Sequence, residues 1–454
     1  MNDGRAFLLS SCMVLMLFCG QLVADGGFFA FEQSRWPQVA EKQQTCFINY
    51  RDGYENMLLA VKLDSFHSTK AAWIVPVPAG PDKVAIDVIP ELPEFYGNSV
   101  HELARQSITQ MFSVMALSQV YPIAFMYTLR DVFPRTEHRE YEVGAVAGLG
   151  YAGGVDVYEH IEKLGLTTEL ITARDRDAPY AYLKEKGLVL PDEARAILGE
   201  YVGEDYSLVV SWVSDTNRFL PDTNDEGWNW RTVKQVALSV RFPAEDIFFP
   251  LKLTRIYGRL RVPMVINVLG YVTPRLFDAL RPFTKADCNL RDRYDVGSAL
   301  LPFFNDRDYV EDLRYTKITI DAPAKLLTED LRISNTPPLR AVCADRVHHS
   351  IGLLAVIGFL FASLVAGAVA ATAAFRDDPA LRAKFTWLGL LNVATLAGVI
   401  VGAVLVRDAK PDTSSTLRLG LPNRAVRKAV YLLVFTLVFM GIGLLATALL
   451  RLVT

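Results

Sequence analysis

Apolar positions along this chain of 454 residues follow two regimes. From Thr45 to Ile320 they come in short runs, rich in β-branched and aromatic residues and broken by glycine, proline and acidic residues. After Ser350 they fuse into three long runs, 351–374, 385–406 and 429–450, none of which contains an acidic, basic or histidine residue. Each run is near the ~20 residues that a helix needs to cross a bilayer core. They predict a C-terminal three-helix transmembrane module over 350–454, joined to the rest by a linker at 339–349. Pumps and voltage sensors place ionisable groups inside the bilayer, so their absence from these runs favours an anchor. Small residues recur at helical spacing at Gly358, Ala362, Ala366 and Ala370 in the first run and at Gly398 and Gly402 in the second. They would let backbones approach closely, in a tight hairpin or in an oligomer contact.

Residues 25–338 carry the β signal. Two β-favouring runs, 45–50 and 56–63, flank Asp52-Gly53 and predict a hairpin. A third strand over 71–77 runs into Pro76, Pro78 and Pro81 and is expected to end there or to lie at an edge. Residues 155–163 and 168–173, joined near Gly165, read as a second hairpin, and 178–186 and 192–202 read as helices. Strand-length runs return at 206–213, 233–242, 247–257, 262–272 and 315–320. The expectation is an α+β domain dominated by antiparallel sheet. The stretch 106–129 has no acidic, basic or histidine residue. It reads as a buried or membrane-surface helical hairpin, with a fourth crossing as the alternative.

The N-terminus combines Arg5, an apolar run over 6–18 and a more polar 19–24, the pattern of an export signal ending at Ala24, with an uncleaved signal anchor as the alternative. Export would make the large domain extracytoplasmic and the chain a multi-pass protein of the cell membrane. It also creates a conflict. With three crossings, residues 376–384 are cytoplasmic and 407–428, with its six basic residues, faces outward, opposite to the usual positive-inside bias.

Several separate motifs lie in the large domain: Asp25-Gly26-Gly27-Phe28-Phe29, Tyr50-Arg51-Asp52-Gly53-Tyr54-Glu55, Ala72-Trp73-Ile74-Val75-Pro76-Val77-Pro78 and Phe248-Phe249-Pro250-Leu251-Lys252-Leu253-Thr254. With 178–191 and 201–213, they resemble an exported prokaryotic family known as domain of unknown function 2330. The resemblance implies an exported, often membrane-tethered domain without an assigned activity. It carries over no catalytic residues.

Candidate chemistry is sparse. The formal net charge of -3, from 47 basic and 50 acidic residues, argues against nucleic acid as a partner. Beyond the leader the cysteines are Cys46, Cys288 and Cys343, so at most one internal disulfide can form, with Cys288 and Cys343 as a candidate pair. Gly148-Leu149-Gly150-Tyr151-Ala152-Gly153 matches a dinucleotide fingerprint, but the segment after it is as strand-like as helical, and it reads as a glycine-rich loop. His101-Glu102 begins a zinc-protease signature that Arg105 interrupts at the position of the second histidine. Asp222, Asn224 and Glu226 begin a calcium-type loop whose twelfth position is Val233, leaving a looser cation site against an ordinary acidic turn. Trp228 and Trp230 would fall on one side of an extended run and are weak candidates for lining a ligand groove, with core packing as the alternative. No cofactor is implied. The sequence therefore points to a membrane-anchored cell-envelope protein whose exported domain binds a ligand or a protein partner, with the lipid bilayer and a second copy as further partners. The alternative is an envelope hydrolase with a site assembled from dispersed Asp, Glu and His residues.

Overall fold

The structure is a computed structural model that describes residues 27–30, 44–61, 71–117, 119, 155–187, 192–203, 205–215, 236–406 and 424–453. These fall into two compact units, one drawn from 1–97 and 140–338, the other from 98–139 and 339–454. The strands are β1 (Gly27–Ala30), β2 (Gln44–Arg51), β3 (Tyr54–Val61), β4 (Ala71–Val77), β5 (Ala85–Ile89), β6 (Asn98–Ser99), β7 (Val155–Lys163), β8 (Leu166–Ala173), β9 (Ser207–Val213), β10 (Val236–Pro243), β11 (Ile247–Phe249), β12 (Met264–Leu269), β13 (Thr273–Arg275), β14 (Thr284–Asp295), β15 (Tyr309–Ile320) and β16 (Leu331–Ser334). The α-helices are α1 (Val100–Leu117), α2 (Ala178–Glu185), α3 (Asp192–Leu198), α4 (Leu339–Ala374), α5 (Pro379–Leu388), α6 (Thr395–Leu405) and α7 (Arg424–Val453).

The larger unit is mixed α+β with mostly antiparallel sheets. One sheet runs β1-β4-β9-β8-β7, a second runs through β5-β10-β3-β2-β12-β15-β14, and a small one is β11-β16-β13. The pairing of β2 with β12 is parallel. Both predicted hairpins form, and the reason is local. Asp52 (φ 54°) with Gly53 (φ 79°), and Leu164 (φ 56°) with Gly165 (φ 84°), supply the left-handed pairs that two-residue turns need to match strand twist. β4 keeps the expected bounds, ending at Val77 just before Pro78, and lies between β1 and β9. Ile74 is its last residue paired with β1, so Pro76 pairs only with β9, at Leu208. The expected strand 247–257 stops at Phe249 and gives way to a 3-10 helix, Lys252–Tyr257. β14 was not expected at all.

Alternation along the strands sets the layers. Trp73, Val75, Leu170 and Val209 from the first sheet join Met57, Leu59, Leu238, Val240, Ile266 and Ile318 from the second in one core. The far side of the first sheet is covered by α2 and α3 through Leu183, Ile197 and Leu198. Part of the far side of the second is covered by a 3-10 segment, Ser298–Phe304, which presses Leu300, Phe303 and Phe304 onto Phe47, Leu58 and Ala237. Burial of such large apolar side chains contributes about 1.5–3 kcal/mol each. The three cysteines among the described residues are free thiols, so Cys288 and Cys343 do not form a disulfide.

The smaller unit is helical. α4 is one continuous helix of 36 residues, so the expected linker 339–349 is its first turns. α1 packs on α4 and α7: Ser107 Oγ lies 2.9 Å from His348 Nδ1, and Arg451 donates to Thr109 Oγ1 at 2.9 Å. α1 covers the first half of the uncharged stretch 106–129; 118 and 120–129 lie outside the described residues.

Among the described residues two helices, not three, are long and apolar enough to cross a membrane: Leu339–Ala374 and Ala425–Val453. The expected span 385–406 is broken. Asp378 caps α5 by accepting from the N–H groups of Ala380 and Leu381, and α5 ends at Leu388. A 3-10 segment, Gly389–Ala394, follows, and α6 opens at Thr395 with φ 71°. The chain then doubles back. A Cβ on Gly402 would lie 2.8 Å from Leu388 Cδ1 and 2.7 Å from Leu391 Cδ1, whereas in one straight helix residues 388 and 402 would be about 21 Å apart.

Candidate functional site

The side of the second sheet that faces away from the main core is only half covered. Where the apolar cover of Phe303 and Phe304 ends, a cleft of about 210 Å³ opens. Register places its walls. Asn49 of β2 lies opposite Asn56 of β3, which lies opposite Arg241 of β10, which lies opposite Ala85 of β5. In the flanking rows Arg51 is opposite Tyr54, and Ser239 is opposite Asp87. Asn305, left-handed at φ 56° and following the covering 3-10 segment, lines the cleft with Pro302. All these strand residues sit at alternate positions on one face, so a hairpin and two neighbouring strands are enough to bring them together.

The polar groups of this cleft are unequally satisfied. Asn49 Nδ2 donates to the Phe303 carbonyl at 2.6 Å and so joins the cleft wall to its cover. Asp87 accepts from Lys163 Nζ at 2.8 and 3.0 Å and from the Val88 N–H at 2.7 Å, so its carboxylate is already engaged. Among the described residues Arg51 pairs only with the exposed neighbouring Asp52, at 3.2 Å. The Arg241 guanidinium rests 5.2 Å from the centre of the Tyr54 ring and forms no ion pair among the described residues. Asn56 Oδ1 is buried and has no hydrogen-bond partner among the described residues. A buried acceptor without a donor costs about 1–3 kcal/mol. The cleft therefore offers cations, with its acid Asp87 paired to Lys163.

Other polar clusters in this unit are closed. Glu169, buried, accepts from His160 Nδ1 at 3.1 Å, from Lys186 Nζ at 3.2 Å and from the Tyr182 hydroxyl. Lys186 also lies over the Tyr182 and Trp212 rings. Burial first, and then the bond to Glu169, pushes the Tyr182 hydroxyl pKa up. This node ties α2 to the sheet and has no free valence for a substrate. Asp330 accepts from the Tyr201 hydroxyl at 2.8 and 2.9 Å and from the Lys252 N–H at 2.9 Å, and burial raises its pKa.

The residues singled out from sequence fall elsewhere. Asp222, Asn224, Glu226, Trp228 and Trp230 lie outside the described residues, as do the glycine-rich 148–153, His67 and His138. Of the other histidines, His160 belongs to the larger unit, while His101, His348 and His349 belong to the helical one. Among the described residues no group of three metal-ligating side chains converges. Ala362, Ala366 and Ala370 are buried within the helical unit. Gly358 has open space where a Cβ would point, and Gly402 abuts Leu388 and Leu391. Gly398 is partly exposed.

In comparison with known proteins, no family model, no curated sequence and no solved structure matches this chain. The structure defines a mixed α+β protein with mostly antiparallel sheets and a C-terminal helical region that carries two long apolar helices.

Proposed function

We propose that this chain is a membrane-anchored binding protein of the cell envelope: the leader 1–24 exports the larger unit, the helical unit holds it in the bilayer, and the sheet cleft receives a small polar anion. Kinship with the exported family of domain of unknown function 2330 belongs to the same reading. The observation that carries it is the pair of guanidiniums on the cleft wall: among the described residues Arg241 forms no ion pair and Arg51 meets only the exposed Asp52. Such groups are stabilised by a ligand that brings a carboxylate as acceptor for the guanidinium, as hydroxy- and amino-carboxylates do. Binding rather than hydrolysis is favoured because Asp87, the acid of the cleft, is held by Lys163 and has no histidine beside it.

The test is thermal unfolding of the detergent-solubilised chain against a panel of small hydroxy- and amino-carboxylates. A ligand at a hundred times its Kd stabilises by about 2.7 kcal/mol, which moves the midpoint by several degrees. Arg241→Gln is expected to abolish that shift while leaving the ligand-free midpoint within a few degrees. A panel without effect, or a shift that survives Arg241→Gln, would reject the cleft as the site.

A further inference from the structure

The geometry points to residues 379–406 being a re-entrant hairpin that enters one leaflet of the bilayer, leaves on the side it came from and turns its outer face to lipid acyl chains. This rests on the membrane reading above and goes beyond it. Three levels of contact fix the path of the chain. At the entrance, Phe385 stacks within 4.2 Å of Phe375, just past the end of α4, and its carbonyl accepts from the Tyr431 hydroxyl near the start of α7. At the tip, Asn392 Nδ2 donates to Ser363 Oγ at 3.1 Å, and Gly389 sits so close to Gly367 that a Cβ on either would meet backbone at 2.5 Å. At the exit, the Val406 carbonyl accepts from Lys428 at 3.2 Å, one turn before Tyr431. Entrance and exit are thus both at the end of the unit where α4 finishes and α7 begins.

The dimensions agree with a single leaflet. Helices of 10 and 11 residues are about 15 and 16 Å long, too short for a core of ~30 Å. Ser363, level with the tip, precedes Ala374 by eleven residues, again about 16 Å. A 3-10 turn at that depth must be shielded from lipid, because hydrocarbon offers its backbone no partner. Asn392 and Thr395 are accordingly almost wholly buried against the unit. Trp387, Val401, Val404 and Leu405 face outward instead, continuing the exposed apolar surface of Ile357 and Phe361 on α4 and of Leu433 and Leu437 on α7. That continuity identifies acyl chains as the occupant. The hairpin also removes the charge conflict. With two crossings, Arg376, Arg382 and Lys384 share one side with the six basic residues between 407 and 428, opposite the larger unit, as the positive-inside bias prefers.

Reporter cysteines test this, at the exposed Asp377 (Asp377→Cys) and Glu185 of the larger unit (Glu185→Cys) and, between 407 and 423, at Ser414 (Ser414→Cys), each probed with a membrane-impermeant maleimide and scored against the unsubstituted chain. Asp377→Cys and Ser414→Cys are expected to be protected in intact cells and to react together after lysis, while Glu185→Cys reacts in intact cells. Labelling of Ser414→Cys from the side opposite to Asp377→Cys overturns the hairpin and leaves the anchor standing. Release of the whole chain from membranes by alkaline carbonate overturns the anchor, and the lipid setting of the hairpin with it.

Discussion

Glu55 carries a carboxyl group into the centre of the larger unit, where its side chain has no exposure to solvent. Its Oε2 accepts from the Phe248 N–H at 2.7 Å, while Oε1 is buried without a partner among the described residues. Burial pushes its pKa well above the usual carboxylate value of 4.5, against the smaller opposing pulls of the Phe248 N–H and Arg332. The sign of the consequence follows from linkage. The folded state holds the proton more tightly than the unfolded chain does, so the contribution of this group is fully present below pH 4.5 and is lost as the pH rises toward the raised value. Over that window the loss approaches about 1.4 kcal/mol per pH unit. Asp330, raised by burial as well, adds a slope of the same sign. Glu55→Gln keeps an acceptor for Phe248 and has nothing to ionise. Its stability is expected to match the parent near pH 4 and to exceed it increasingly toward neutrality, with a shallower slope in denaturant titrations. An unchanged slope would mean that Glu55 titrates normally.

Helix α4 and the segment that follows it meet at two glycines, and the fit is tight enough to measure. A Cβ at Gly367 would fall 2.5 Å from the Thr386 carbonyl and 3.1 Å from Gly389 Cα, all of it backbone that cannot rotate away. Overpacking of this kind costs typically 1–3 kcal/mol. Gly358, on the same helix, has no atom within 4 Å of its Cβ position and serves as the control. Gly367→Val should lower the unfolding midpoint of the detergent-solubilised chain by several degrees and Gly358→Val should leave it nearly unchanged; equal effects would refute the close approach. The place of the approach, at Gly367 and Gly389, and the reversal behind it were not legible in sequence. Residues 385–406 are apolar throughout, so a chain that turns back leaves no break in hydropathy, and Gly402 read as part of a packing stripe when it meets Leu388 and Leu391 of its own hairpin. The two-residue turns were legible because a left-handed pair needs residues such as Asp52-Gly53 or Gly165. β14 was missed because Lys285, Asp287, Arg291 and Arg293 give it the charge of a loop, while its buried stretch Cys288–Leu290 is too short to signal a strand. The cleft left a partial trace in the alternating polar positions Asn49, Arg51, Tyr54 and Asn56. Its other half comes from β5, β10 and Asn305, which only the register brings near.

At the scale of the whole chain, the sequence of the larger unit is interrupted by a piece of the smaller one. α1 lies between β5 and β7 in sequence, yet its buried face of Val100, Ala104, Ile108, Met111 and Met115 belongs to the unit that also contains α4 and α7. A chain ended at Pro338 would therefore keep α1 and lose the surface that covers it. Baring the Ile108, Met111 and Met115 side chains would cost about 1.5–3 kcal/mol each in lost burial and would leave a contiguous apolar stripe, which promotes association. The expected outcome is that this shortened chain aggregates or requires detergent, although every strand of the larger unit is present. Adding Ile108→Glu, Met111→Lys and Met115→Glu to it should restore a monodisperse, β-rich species in aqueous buffer, judged by size-exclusion chromatography and circular dichroism. If the unmodified shortened chain is already monodisperse without detergent, α1 does not depend on the C-terminal helices, and the division of the chain into these two units is wrong.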